Sequence, residues 1–275
     1  MAIDLAVDLM HATVQLEQPL GDGTRTVGTG FLINDPTPDG RPRTVLITAN
    51  HVLSGMPKGV ATIGFRVENP DGSWAYSPQP VTIRDSAGHQ LWTHHPTRDV
   101  AALAITAPPE FAKAAIPAGY LASDDTFTDY KVRAGDEMMA LGFPRGLAAN
   151  QAGFPILRSG RVASYPVAPA KIFPTFLLDF SVFPGNSGGP VYMTDQDHRP
   201  EGAGGKPPEF IAGLLTQQVE LNHERLEIGI VTHAKFIRET LARLDDPMAP
   251  VTVVAQEVPI TGAKAASAEE AARAD

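Results

Sequence analysis

The chain has 275 residues, enough for two small β-barrels and a core, and its 25 glycines and 25 prolines suit short strands joined by turns better than a helical bundle. Lys and Arg number 22 against 31 acidic residues, a net charge of −9, which disfavours a nucleic-acid partner because such partners call for a basic patch. Cysteine is absent, which excludes a disulfide framework and thiolate metal sites, and no apolar run approaches the roughly 18 residues of a membrane span.

The N-terminal Met1-Ala2-Ile3-Asp4-Leu5-Ala6-Val7-Asp8 carries two acids and no basic segment. It does not resemble a secretory leader, so a cytoplasmic location is expected. Residues 1–10 read as a short amphipathic helix or an ordered arm. Strand-like runs follow at 12–17, 26–33, 43–49, 60–67, 80–84 and 99–105, the six that one barrel needs. Residues 34–43 read as an exposed turn, and a Pro-rich, then polar stretch from Ala107 to Asp129 carries the chain onward. Strand-like runs resume at 137–142, 155–164, 172–182, 189–193, 209–217 and 226–232, with a surface loop at 194–208. Ala234 to Leu244 has helical spacing, placing Phe236, Ile237, Leu241 and Leu244 on one side. The expected division is a first barrel over 1–118, a second barrel with a final helix over 119–245, and a disordered tail over 246–275.

Chemistry concentrates in three segments. Phe183-Pro184-Gly185-Asn186-Ser187-Gly188-Gly189-Pro190-Val191 presents a serine in a glycine-rich turn before an apolar strand. Gly185 and Gly188 can take backbone angles barred to other residues, so successive N–H groups can point inward around Ser187. On its own, the segment also fits a hairpin turn with a surface serine. Thr44-Val45-Leu46-Ile47-Thr48-Ala49-Asn50-His51 is an apolar run ending in histidine, and Asp99 heads the run Val100 to Ile105. A hydroxyl needs a base and an oxyanion site to become a nucleophile, and an imidazole base needs a carboxylate to fix its tautomer. The chain order is His51, Asp99, Ser187; taken alone, Asp99 reads equally as a helix cap or turn acid.

Gly28-Thr29-Gly30-Phe31-Leu32-Ile33, Thr48-Ala49-Asn50-His51, Asp99-Val100-Ala101-Ala102-Leu103 and Gly185-Asn186-Ser187-Gly188-Gly189-Pro190 together resemble the trypsin- and chymotrypsin-like serine peptidases, nearest the bacterial HtrA type. Ala134 to Pro144 and Leu178 to Pro184 extend that likeness, which covers roughly residues 12 to 245. The resemblance implies an all-β fold of two six-stranded antiparallel barrels with a C-terminal helix. His51 as base and Asp99 as its orienting acid would come from the first barrel, and the nucleophile Ser187 from the second. Gly185, Asn186 and Ser187 would form the oxyanion loop, with the N–H groups of Gly185 and Ser187 as its donors. Asn186 stands where digestive relatives carry the aspartate that pairs with a new N-terminus, so activation by N-terminal cleavage is not expected.

By the same likeness, Ser181 would floor the main specificity pocket, and Thr216, Gln217, Gln218 and the neighbourhood of Gly229 would wall it. Ser181 offers no carboxylate, and an unpaired buried charge is costly, so small or medium uncharged P1 residues are expected unless Glu220 or Glu227 turns inward. Ile211 to Val219 would offer an edge to a substrate strand. The 30 residues after position 245 are too few for the PDZ domain of many HtrA relatives. The expected partners are protein or peptide substrates, with homo-oligomers in the family's habit, no cofactor, no metal and no membrane.

Two other functions compete: a silent trypsin-like scaffold that binds peptides, and an α/β-hydrolase esterase, since Gly185 to Gly189 fits G-x-S-x-G. The esterase requires the order Ser, acid, His and a helix after the serine, whereas Pro190-Val191-Tyr192 reads as a strand. Asp179 reads as structural. His94 and His95 read as a solvated loop with no third ligand, and His233 as the opening of the last helix. His11, His89, His198 and His223 lack supporting neighbours.

Overall fold

The computed structural model describes residues 4–194, 207–221, 224–254 and 264–265. His198 and His223, the interior of the 194–208 loop and most of the tail lie outside them. The N-terminal arm is a helix, α1 (Leu5–Ala12), that buries Leu5, Leu9 and Ala12, while the Asp4 side chain accepts from Val7 N–H at its start.

The first sheet holds six long strands: β1 (Thr13–Pro19), β2 (Arg25–Asn34), β3 (Thr44–Thr48), β4 (Val60–Glu68), β5 (Trp74–Thr82) and, after the two-residue β6 (Thr93–His94), β7 (Ala101–Ile105). A one-turn helix, α2 (Asn50–Ser54), follows β3. The strand order is β5-β4-β1-β2-β3-β7-β6, with β8 (Ile116–Pro117) beside β2. Val45, Leu46 and Ile47 are all buried, so β3 is covered on both faces and reads as a continuous apolar run rather than an alternating one. In contrast, β5 was expected only at 80–84. It pairs with β4 from Trp74 to Thr82, but mostly faces solvent and contains Pro78 and Pro80, so its sequence mimics a loop.

The crossing stretch holds α3 (Pro109–Ala114) and α4 (Asp124–Asp129), one-turn helices that bury Phe111 and Phe127. The second sheet comprises β9 (Glu137–Gly142), β10 (Ile156–Val162), β11 (Thr175–Asp179), β12 (Pro190–Thr194), β13 (Glu209–Leu221) and β14 (Glu224–His233). Pairing of β12 with both β9 and β13 closes these six into a barrel. The expected double-barrel fold with a final helix is the one observed. That helix, α5 (Ala234–Asp245), buries Ala234, Phe236, Ile237, Thr240 and Leu241, with Leu244 packed at the margin and His233 at its N-cap.

The tail expectation needs correction over 246–254. Arg243 donates to the Ala249 carbonyl at 2.9 Å, and Thr252 donates to both Glu239 oxygens, from N–H at 2.9 Å and from its hydroxyl at 2.5 Å. Polar anchors on α5 hold this segment, which an apolar pattern cannot reveal. Beyond it, β15 (Lys264–Ala265) pairs antiparallel with β13.

Arg66 joins the parts. It is fully buried in β4 and donates to the carbonyls of Met10, His11, Thr13 and Gly153 at 3.3, 2.6, 2.8 and 2.8 Å. Its guanidinium lies over Phe154 and Phe111, 4.8 and 5.7 Å from the ring centroids. Burial lowers its pKa to about 10, so it stays charged at neutral pH. One side chain thus ties α1, the first sheet and the segment after β9.

Candidate active site

β3 delivers the chain to α2, where His51 is the second residue. The Asp99 carboxylate meets His51 twice: Oδ1 accepts its backbone N–H at 2.9 Å, and Oδ2 lies 2.5 Å from Nδ1. The two readings of Asp99 therefore merge, since the same carboxylate holds the start of α2 and fixes the ring. A carboxylate against Nδ1 keeps the proton there and leaves Nε2 as the basic nitrogen. Trp92 Nε1 donates to Asn50 Oδ1 at 2.9 Å, pinning the preceding residue.

The serine turn is built by its prolines and glycines. Asn186 N–H donates to the Phe183 carbonyl at 3.1 Å, with Pro184 and Gly185 central and Gly185 at φ +94°, the pattern of a type II turn. Gly188 N–H donates to Leu215 at 2.7 Å and Gly189 N–H to Asn186 at 3.1 Å. Among the described residues, the N–H groups of Gly185 and Ser187 have no protein acceptor. Asn186, the middle residue of the expected oxyanion loop, spends its N–H on the turn and has a buried side chain.

Both barrels hold this loop. Thr29 on β2 donates its N–H to the Ser187 carbonyl at 2.9 Å and its hydroxyl to the Gly185 carbonyl at 2.6 Å. The same hydroxyl accepts Phe143 N–H at 3.1 Å, and Arg145 N–H donates to the Pro184 carbonyl at 2.6 Å. Arg145 sits at φ +51°, a conformation this turn imposes on a non-glycine residue. A Cβ on Gly185 would strike the Phe143 carbonyl, and one on Gly188 would strike the Thr29 carbonyl and the Thr48 hydroxyl. That Cβ would also lie 3.0 Å from Ala49 N, so the serine loop rests against the residues that lead into His51. Ser187 Oγ itself donates to the Thr216 carbonyl of β13 at 3.3 Å.

Strand β13 narrows the expected substrate edge. β12 covers it from Glu209 to Leu214, and Leu215 exchanges bonds with Gly188 and Gly189. Among the described residues, the stretch of this margin left without a neighbouring strand is Thr216 to Gln218 rather than Ile211 to Val219. A Cβ on Gly229 would meet Leu215, Val182 and Phe180 at 3.0 to 3.1 Å, so an apolar wall stands where the pocket was expected. Ser181 is half-buried between Phe180 and Val182, and Glu227 is exposed. Asp179 is exposed in β11, opposite Ile228 of β14.

His95 departs from its solvated reading. It is buried, its Nδ1 accepts Thr97 N–H at 3.2 Å, and Nε2 faces Glu239 Oε2 at 3.1 Å. Burial alone would raise the Glu239 carboxyl, but bonds from His95 and Thr252 outweigh it and hold the group below its ordinary value. The loop before Asp99 is thereby tied to α5. His94 is exposed beside Gln90, His89 meets Asp85 at 3.0 Å, and His11 packs on Trp74 at 5.0 Å. The roles of Thr29, Phe143, Arg145 and Glu239 escaped sequence reasoning; Gly28-Thr29-Gly30 marked the place but not the partner.

A family described as the trypsin-like peptidase domain matches residues 28–199. No curated protein matches the chain significantly. Solved structures of the HtrA-type protease AlgW with a tripeptide, and of a serine-to-alanine form of AlgW with a tripeptide, superpose with TM-scores of 0.52 and 0.50 at 17% identity. The overlap covers 89% of this chain and 64% of theirs, a likeness of fold. With the family match spanning most of the chain and all three segments in place, this protein belongs to the trypsin-like peptidase family.

Proposed function

We propose that the chain is a serine endopeptidase working through His51, Asp99 and Ser187. The observation that carries this reading is the joint arrangement of an Asp99-fixed imidazole and a serine flanked by two unpartnered N–H groups. His51 Nε2 takes the Ser187 proton as Oγ attacks the scissile carbonyl. The N–H groups of Gly185 and Ser187 meet the charge that develops on the carbonyl oxygen. His51 then passes the proton to the leaving amine, and water repeats the sequence on the acyl-enzyme. The substrate lies along Thr216 to Gln218 as an added strand. The Phe180, Val182, Leu215 and Gly229 surroundings suit a small or medium uncharged P1 side chain.

Ser187 Oγ resting on Thr216 favours a second reading, a silent scaffold that binds peptides without cutting them. Treatment with a fluorophosphonate, beside Ser187→Ala, separates the two. Labelling at Ser187 alone supports the peptidase. Peptide binding by a chain that resists labelling supports the scaffold.

A further inference from the structure

Asp99 has to be held as well as hold. It lies in the loop between β6 and β7, four residues past His95. The two strands set Thr93 opposite Ala102 and His94 opposite Ala101, and His95 N–H extends the ladder to the Val100 carbonyl at 2.9 Å. Pro96 has no donor, and the next N–H, that of Thr97, goes to His95 Nδ1 at 3.2 Å. One imidazole is thus an inner strut of the loop that presents Asp99 to His51.

That imidazole is set from α5. Its side chain is fully buried, edge-on to the Phe236 ring at 5.3 Å, with Nε2 3.1 Å from Glu239 Oε2. An N–H can only donate, so the bond from Thr97 makes Nδ1 the acceptor and leaves the proton on Nε2, where the Glu239 carboxylate receives it. Thr252 steadies the carboxylate from the far side, with its N–H to Oε2 and its hydroxyl to Oε1. The Arg98 guanidinium, next to Asp99, lies over the same Phe236 ring at 5.7 Å. Helix α5 therefore grips the loop at two residues. Two carboxylate–imidazole pairs meet in it: Asp99 fixes the proton of His51 on Nδ1, and Glu239 fixes that of His95 on Nε2.

We infer that Glu239 is a positioning residue for Asp99, acting through the His95 imidazole. Without an acceptor at Glu239, the buried Nε2–H is left unpaired, and moving the proton to Nδ1 sets it against Thr97 N–H. Either way the loop shifts, and Asp99 shifts with it. The inference rests on the peptidase reading only for its effect on turnover. The position of Asp99 has a readout of its own, because His51 N–H, in the first turn of α2, has no acceptor within the helix and relies on Asp99 Oδ1 at 2.9 Å.

The test compares wild type, Glu239→Leu, Glu239→Gln, His95→Asn and the double variant His95→Asn with Glu239→Leu. The asparagine oxygen can still accept Thr97 N–H two residues on, but the side chain is too short to reach Glu239, so this variant cuts the tie to α5 and spares the local turn. Glu239→Leu and His95→Asn should each lower kcat by about tenfold or more with KM little changed. Amide exchange should show His51 N–H exchanging roughly tenfold faster in both, while Val45, Leu46 and Ile47 of β3 keep their wild-type rates. Glu239→Gln, which keeps an oxygen for Nε2–H, should recover most of the rate and of the protection. The double variant should be no slower than the slower single one. Wild-type protection of His51 in His95→Asn overturns the inference, even if Glu239→Leu does not fold. Equal acceleration of His51 and β3 overturns it too, by reducing Glu239 to a general support, and additive losses in the double variant overturn the route through His95. A wild-type chain that resists fluorophosphonate defeats the peptidase reading, and His51 exchange then still decides whether Glu239 positions Asp99.

Discussion

The hydroxyl of Thr29 donates to the carbonyl of Gly185 at 2.6 Å, reaching from the first barrel into the oxyanion loop of the second. Fixing that carbonyl fixes the turn that leaves Gly185 N–H unpartnered. Thr29→Val keeps the shape and removes the hydroxyl. It is expected to lower kcat by about ten- to a hundredfold with KM little changed, because the donor is lost mainly in the transition state. Thr29→Ser should restore most of the rate. A Thr29→Val enzyme with wild-type kcat would remove Thr29 from the positioning of the loop.

Asp99 carries two bonds, one to the His51 ring and one to its backbone. Asp99→Asn retains a side-chain oxygen for the backbone N–H but reverses the demand on Nδ1. A kcat lower by on the order of 10⁴-fold is expected, with a thermal midpoint within a few degrees of wild type. Steady-state kinetics and a melting curve on the same sample check both halves.

Arg66 satisfies four carbonyls at once. Arg66→Leu leaves those oxygens buried without a donor and should cost about 3–5 kcal/mol by denaturant unfolding. Arg66→Lys should recover little, since an ammonium cannot span the same carbonyls.

His233 gives the protein an acid limit. Burial pushes its imidazole down to about 4, with Phe127 and Phe176 rings 4.7 and 5.0 Å away. The unfolded chain binds this proton near pH 6.5 and the folded chain only near 4. The stability contribution is therefore complete above about pH 6.5 and declines as pH falls toward 4, by roughly 2 kcal/mol at pH 5. His233→Phe should flatten that part of the curve. Parallel curves for the two proteins between pH 7 and 5 would count against His233 as the group responsible.

Much of this was legible in the residues. The strands whose apolar side chains face the core, the helix Ala234 to Leu244 and the three chemical segments could be read because burial leaves a pattern. β5 could not, since its exposed face and prolines give an edge strand the composition of a loop. His95 and Glu239 could not be paired because they lie 144 positions apart in sequence and meet only across α5. The free N–H of Gly185 and the spent N–H of Asn186 differ by a turn geometry that their neighbours in space impose, through Thr29, Phe143 and Arg145.

Pro78 and Pro80 sit two apart on β5, which among the described residues has a neighbouring strand on one side only. Proline is tolerated there because the missing donors face outward. The outer rim of the first sheet is therefore a poor template for a stray chain, and aggregation by strand addition is discouraged where it would serve nothing. Strand capture is left to the margin beside Ser187, where an added chain meets a hydroxyl instead of another molecule's growing sheet.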